Sequence, residues 1–307
     1  MNDKYINRVI CGDSLEVLKE IDDNSIAGCI TDPPYNYEFI GRNWDDEEIE
    51  RRIKRSQEKE SSTLVKNIPY GSGLAGGVRN ERWYKKNRDN ILEYRDWIKV
   101  WGAELFRVLK PGSYVLVFNS TRTSAHIQVA LEDVGFYARD TIVWRRQSGI
   151  PKGLNAEKKL EKMGDENSEL WKGWHSALRS EWEAITVVQK PLVNNYLNTL
   201  QKYDVGLLKT KGANIDGFQS NIIEDIKRDP KTESNTHITI KPLELIQKLV
   251  EMVIPPIEGN VVIDPFLGSG TTAVAAINLG ISWIGIERNP EYVSIANDRI
   301  EKASSNK

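Results

Sequence analysis

Short apolar runs alternate along this chain with segments whose apolar residues return every three or four positions. "NRVICGDSL" reads as a short strand that turns at Gly12-Asp13-Ser14, and Leu15, Leu18 and Ile21 then follow at helical spacing. Ser25 to Ile30 is apolar without alternation, which suits a strand covered on both faces. Residues 36–90 show no period. Acids and bases alternate densely in 42–60, and "YGSGLAGGV" at 70–78 reads as a glycine-rich flexible loop. From residue 91, Trp97, Trp101, Leu105 and Leu109 recur every four residues, a helix that "KPGS" should end. "YVLVF" (114–118) predicts a strand, "TSAHIQVALEDVGF" a helix, and "YARDTIVW" and "WEAITVV" two more strands. Residues 190–236 carry no clean period. Pro242 then opens a helix with Leu243, Ile246, Leu249, Val250 and Val253 on one face. "NVVIDPF", "GTTAVAAINLG", "SWIGIE" and "NPEYVSIANDRI" read as strand, helix, strand and helix. Such alternation calls for an α/β fold, a parallel sheet with helices on both faces.

Composition narrows the class. The 307 residues are 39% apolar and 28% charged, ordinary for a globular chain of one large domain with insertions or two smaller ones. No apolar run approaches the roughly 20 residues needed to span a bilayer, so no membrane partner is expected. "MNDKYINRVI" lacks the apolar core of a signal peptide, and Cys11 and Cys29 read as buried free thiols of a reducing cytoplasm. Three scattered histidines without acids or cysteines at ligand spacing predict no metal site. The net charge of −2 argues against a wholly basic nucleic-acid binder, but its distribution is uneven. "RNERWYKKNR" (79–88) holds five basic residues and one acid around Trp83 and Tyr84, and "VWRRQSGIPKG" (143–153) has three bases and no acid. Bases interleaved with rings suit phosphate contact and base stacking, which nominates Arg82, Lys85, Lys86, Arg145, Arg146 and Lys152. A solvated helix or loop face would look the same.

Two strands end in chemistry. The first closes in "TDPPYN" (31–36): a carboxylate, two prolines that stop the strand, and a ring. A capping Asp and a half-buried Tyr would explain those residues without function. The second runs into "VIDPFLGSGTTA" (262–273), where Gly268-x-Gly270-x-x-Ala273 precedes a helix and Glu287 follows nineteen residues after Gly268. This spacing matches a dinucleotide fingerprint, so an NAD-dependent oxidoreductase is a rival reading. Asp264, four residues before Gly268, would repel a pyrophosphate but tolerate a cationic ligand. The rival also leaves "TDPPYN" without a role.

Taken together, "TDPPYN", "DPFLGSGTT", "GIERNPEYVSIANDRI", "HITIKP", "LKPGSYVLVF", "TIVWRR" and "EWEAITVVQKP", in their order, make the chain resemble the amino-methyltransferases that act on DNA, in the permuted beta arrangement. The resemblance covers most of the chain outside about 37–90 and 192–235. It implies a Rossmann-like, circularly permuted S-adenosylmethionine-dependent methyltransferase sheet with an inserted target-recognition region. Residues 1–36 and 91–190 would form the catalytic half, 37–90 a DNA-contacting insertion, 191–236 the target-recognition region, and 237–307 the cofactor half. The last helix would lead in space to the first strand, bringing the termini close together. The implied catalytic set is Asp32, Pro33, Pro34 and Tyr35. The implied cofactor set is Asp13, Asp264, Phe266, Gly268, Ser269, Gly270, Thr271, Thr272, Glu287, His237, Thr239 and Lys241. Double-stranded DNA is the implied partner, with a cognate restriction endonuclease and a second copy of the chain as further candidates. Asp at the head of the tetrad resembles the N6-adenine members. Ser is more usual for N4-cytosine, yet the two amines present similar geometry, so N4-cytosine stays open. Related enzymes acting on RNA or protein glutamine usually begin the tetrad with Asn and lack this order.

Overall fold

The computed structural model describes residues 4–34, 81–146, 153–210, 218–224, 226 and 240–305, without the side chains of 82, 83 and 86. The chain divides into two compact units. Residues 1–35, 95–146 and 182–307 form one, and 36–94 with 147–181 form the other. Residues 147–181, placed in the catalytic half from sequence, therefore cluster with the second unit.

The first unit is built on an eight-stranded sheet. Its strands are β1 (Arg8–Cys11), β2 (Ile26–Thr31), β3 (Leu109–Asn119), β4 (Tyr137–Arg145), β5 (Trp182–Gln189), β6 (Ile222–Ile223), β7 (Val261–Asp264) and β8 (Ser282–Glu287). They lie in the order β1-β8-β7-β2-β3-β5-β4-β6. The central strands β2 and β7 are buried along their whole length, as unbroken apolar runs require. β1 lies parallel beside β8, with Cys11 opposite Glu287, and the last helix packs against both. The two ends of the sequence thus meet at one edge of the sheet, the permuted connectivity expected.

One strand departs from the expectation of a parallel sheet. β5 runs antiparallel to both β3 and β4. The crossover from β3 through a helix to β4 leaves one strand width open between them, and β5 fills it on the way back. An apolar run reads alike in both directions, so the pattern carries no sign of this reversal.

The helices are α1 (Ser14–Lys19), α2 (Glu81–Val108), α3 (Ser124–Asp133), α4 (Ala156–Glu161), α5 (Tyr196–Tyr203), α6 (Leu243–Val253), α7 (Thr271–Leu279) and α8 (Pro290–Ser305). In α2 the buried ridge is Ile98, Trp101, Leu105 and Val108, because a strict four-residue repeat drifts off one face of a 3.6-residue helix. The helix starts ten residues before the expected point and ends before "KPGS", whose residues already belong to β3. Lys190 satisfies the carbonyls at its C-terminal end, its Nζ donating to Phe106 O at 2.7 Å and Leu109 O at 2.8 Å. Helix α5 lies in the stretch that showed no period. Its eight residues are too few to display one, and Asn195 caps it by accepting from Asn198 N at 2.9 Å. Helix α6 buries Ile246, Leu249, Val250 and Val253, as its spacing predicts. Cys29 is buried in β2, but Cys11 is exposed, since it ends an edge strand.

In the second unit, Asn155 caps α4 by accepting from Lys158 N at 3.0 Å, and Asn155 bridges His175. Trp171 and Trp174 meet edge to face at 6.0 Å.

Packing is closest where β8 meets the residue before Gly268. A Cβ on Gly285 would lie 2.5 Å from Leu267 Cδ2 and 2.9 Å from its Cδ1. Leu267 is buried, so Gly285→Ala forces it to shift. Overpacking of this kind costs about 1–3 kcal/mol. Thermal unfolding of Gly285→Ala should show a midpoint lower by several degrees, and an unchanged midpoint would contradict this packing.

Candidate active site

Strand order reverses between β7 and β2, where the chain leaves one way through β8 and the other way through β3. Ligands of open α/β sheets sit in the crevice at such a point, beyond the carboxyl ends of the strands. Both sequence motifs end here. Cys29 of β2 stands opposite Ile263 of β7, so Thr31-Asp32 and Asp264 emerge side by side.

Asp264 is buried and surrounded by donors from three elements. Its Oδ1 accepts from Thr31 Oγ1 at 2.7 Å and from Phe266 N at 3.1 Å, and its Oδ2 accepts from Thr272 Oγ1 at 2.7 Å. Burial pushes its carboxyl up to about 6. The bonds from Thr272, Thr31 and Phe266 pull it down, and the Asp32 charge nearby adds to the rise.

The loop after Asp264 is held from below and behind. Gly268 N donates to Glu287 Oε2 and Asn289 N to Glu287 Oε1, both at 2.8 Å, while burial raises the Glu287 carboxyl above its ordinary range. Gly270 has φ +87°, and a Cβ there would lie 3.0 Å from Ala296 of α8. That conformation and that gap are both suited to glycine. Arg299, also of α8, donates to Ser269 O at 2.7 Å, Ser269 Oγ at 2.8 Å and Thr271 Oγ1 at 3.1 Å. The hydroxyls of Ser269, Thr271 and Thr272, nominated for the cofactor, are thus bonded within the protein. Phe266 packs against Trp97 and Trp101, with ring centroids at 5.5 Å from each. Asp13 caps α1 by accepting from Leu15 N at 2.9 Å, next to Gly12, whose N–H donates to Glu287 O at 3.0 Å. Asp13, Glu287, Asp264 and the glycine loop therefore gather at the carboxyl ends of β1, β8 and β7. An added Cβ on Gly268 would meet nothing within 4 Å, so the loop offers an open approach beside its backbone. Acids at the strand ends suit a ligand that carries hydroxyls and positive charge, and disfavour a pyrophosphate.

Asp32 leaves β2 with its side chain 28% exposed, followed by buried Pro33 and half-buried Pro34. Lys241 Nζ donates to Asp32 Oδ2 at 2.5 Å and lies 3.5 Å from Glu183 Oε2. Lys241, nominated from sequence as a cofactor residue, is therefore seated on the carboxylate that follows β2. Arg146 pairs with Glu183 at 2.9 Å and Arg145 with Glu224 at 2.9 Å, so both of these candidate DNA contacts carry ion pairs of the protein's own. Lys85 is exposed on α2. Arg82 and Lys86 lie on the same helix, and their side chains fall outside the described residues, as do Tyr35, Lys152, His237 and Thr239. Among the described residues no group of three or more His, Cys, Asp or Glu could hold a metal ion.

Two residues of the site escaped the sequence reading. Arg299 sits in an ordinary amphipathic helix and carries no local signal. Glu183 does carry one, because it is the one charged residue of β5, a strand whose following residues are all buried.

The raised Asp264 carboxyl fixes the sign of a pH effect. Between its ordinary value of 3.8 and about 6 the folded chain binds more protons than the unfolded one, so this group's share of stability falls as pH rises through that interval. The loss amounts to on the order of 3 kcal/mol by neutral pH. Asn at this position keeps an acceptor and has no charge to desolvate. Denaturant unfolding should therefore show Asp264→Asn gaining stability relative to the parent chain from pH 4.5 to 7.5, and a difference that moves the other way would contradict this environment.

A family model described as DNA methylase matches residues 26–298. The Type II methyltransferase M.HindIII of Haemophilus influenzae is 31% identical over 307 residues, covering 96% of this chain and 95% of the relative. Among solved structures, the M1.HpyAVI–SAM complex superposes with a TM-score of 0.52 at 19% identity, over 95% of this chain and 98% of that one. The cytosine-N4-specific PvuII DNA methyltransferase gives a TM-score of 0.58 at 16% identity, over 97% and 89%. The two structures share the fold, the permuted methyltransferase sheet expected from the sequence. Matched by the family model over most of its length, and by a relative above 30% identity along nearly all of both chains, this chain belongs to the N6/N4 DNA methylase family.

Proposed function

We propose that this chain is a site-specific DNA methyltransferase whose acceptor is the N6 amine of an adenine turned out of double-stranded DNA. The methyl donor is S-adenosyl-L-methionine, which when bound supplies an electrophilic methyl group on a sulfonium. The observation that carries this reading is the hydrogen bond from Thr31 to Asp264, which joins the strand that ends in Asp32 to the cofactor loop across the switch point. The acceptor acid and the loop are thereby held at one place by a single buried contact.

An exocyclic amine is a poor nucleophile, because its lone pair is delocalised into the ring. Asp32 would accept one N–H and the Pro33 carbonyl the other, turning the nitrogen toward the geometry that in-line attack requires. The two prolines fix that backbone in advance. A carboxylate offers about four lone-pair positions, so the Lys241 pair and an amine N–H are compatible on one Asp32. Tyr35 would stack on the base, which has to leave the duplex to be reached. Asp13, Glu287 and the loop 266–272 would hold the cofactor, with Glu287 accepting from ribose hydroxyls and Asp264 placing negative charge near a cationic ligand. Residues 191–236 would read the target, and basic residues in 79–88 and 143–153 would contact phosphates. The Asp that heads the tetrad favours adenine over cytosine. Membership of the methylase family, with the acid before the glycine loop, weighs against the NAD-dependent alternative.

The product identifies the acceptor. Plasmid DNA from a methylation-free host, incubated with the protein and labelled S-adenosyl-L-methionine and then digested to nucleosides, should carry its label in N6-methyladenine. Label in N4-methylcytosine would overturn the adenine assignment, and unlabelled DNA would overturn the reading as a whole.

A further inference from the structure

Glu183 lies in the quoted segment "EWEAITVVQKP" with no role assigned to it, yet its charge reaches the acid at the centre of the proposed chemistry. It is the second residue of β5, in register with Trp144 of β4. Because β5 runs against its neighbours, its beginning lies at the edge of the sheet where β2, β3 and β4 end. Two cations converge on its carboxylate. Arg146 reaches Oε1 at 2.9 Å, and the Lys241 ammonium lies 3.5 Å from Oε2. Oε2 is buried and makes no hydrogen bond among the described residues, so the ammonium approaches it as a charge without being bonded to it.

Lys241 is itself buried, stands 4.9 Å from the Phe118 ring centroid, and bonds to Asp32. A buried ammonium is retained only where opposite charge surrounds it. Four charges therefore alternate, Arg146, Glu183, Lys241 and Asp32, drawn from the ends of β4 and β2, the start of β5 and the approach to α6. At this depth an unpaired charge is costly, and each member depends on the next. If the negative charge of Glu183 is withdrawn, Asp32 becomes the stronger claimant on the ammonium, and less of its carboxylate serves an incoming amine.

We propose that Glu183 is a positioning residue for methyl transfer. It shares the Lys241 ammonium with Asp32 and so sets how firmly Asp32 is held and how much of its charge faces the substrate. The inference rests on Asp32 being the amine acceptor proposed above. Glu183 touches neither substrate nor cofactor in this role. It acts through Lys241, and the Arg146 pair keeps its carboxylate in place.

The test is a double-mutant cycle on the full chain, read as steady-state methylation of plasmid DNA. Glu183→Gln keeps the size and an acceptor for Arg146 but removes the charge. It should lower kcat about tenfold. The KM for DNA and the calorimetric affinity for S-adenosyl-L-methionine should stay within about threefold of the parent values. Glu183→Asp, which keeps the charge, should retain more of kcat than Glu183→Gln. In a Lys241→Met background, Glu183→Gln should have no further effect, because the ammonium it acts through is gone. Equal losses in the Gln and Asp variants, an unchanged kcat in folded Glu183→Gln, or full additivity with Lys241→Met would each overturn the proposal. If Glu183→Gln does not fold, the same cycle is run with Glu183→Asp under the same criterion of additivity. Asp32→Ala, measured alongside, separates the two ideas. Loss of transfer there with no effect of Glu183 defeats this inference alone, whereas retained transfer defeats the reading beneath it.

Discussion

A carboxylate with no access to water must be surrounded by donors, and the donors around Asp264 come from three different parts of the chain. Thr31 ends β2, Thr272 lies in the first turn of α7, and Phe266 belongs to the loop between β7 and that helix. The requirement to satisfy one buried acid therefore fixes the end of one central strand against the end of the other. It also sets the first turn of the helix that carries the glycine loop. The cost is visible in the carboxyl itself, which sits at about 6 even with these bonds made. A neutral residue would spare the fold that burden. What the charge offers in return is a negative centre beside a loop whose proposed ligand is cationic.

The sheet supplies the rest of the site by geometry alone. Parallel strands end at one edge, so side chains far apart in sequence arrive there together. The reversed strand extends this principle, because it delivers its beginning, with Glu183, to the edge where its neighbours deliver their ends. That edge gathers Asp264 and Glu287 beside the glycine loop and Asp32, Lys241, Glu183 and Arg146 on the other side. Beside the loop the acids are held by backbone N–H groups and hydroxyls. On the other side charge is held by charge, an arrangement that the removal of one member disturbs more readily than a bonded hydroxyl would. Helix α8 backs the loop with Ala296 and Arg299, so the last stretch of the sequence shapes a loop some thirty residues earlier.

Much of this was legible in the sequence, and the reasons are physical. Buried central strands are apolar without a break, and the two that matter most, β2 and β7, end in the quoted motifs. Helix α6 announced itself by period and by Pro242. The direction of β5 was not legible, because periodicity has no sign. Helix α5 is too short to show its period, and the four-residue repeat in α2 departs from the three-four alternation of its buried ridge, Ile98, Trp101, Leu105 and Val108. The apolar neighbours of Cys11 predict burial, but an edge strand leaves its end exposed. The motif around Lys241 carries no sign of its partner Asp32, which lies 209 residues away. Arg299 acts through distant contacts that no local pattern records, whereas Glu183 stands out locally only as the one charged residue of β5.

The central claim is that Asp32 holds the acceptor amine while the loop after Asp264 holds the methyl donor. Single-turnover transfer by Asp32→Ala, compared with its calorimetric affinity for S-adenosyl-L-methionine, addresses both halves at once. Loss of one preorganised acceptor at a reacting centre predicts a rate lower by on the order of 10²–10³, with cofactor affinity nearly intact. A folded Asp32→Ala protein that methylates DNA at close to the parent rate would contradict the account.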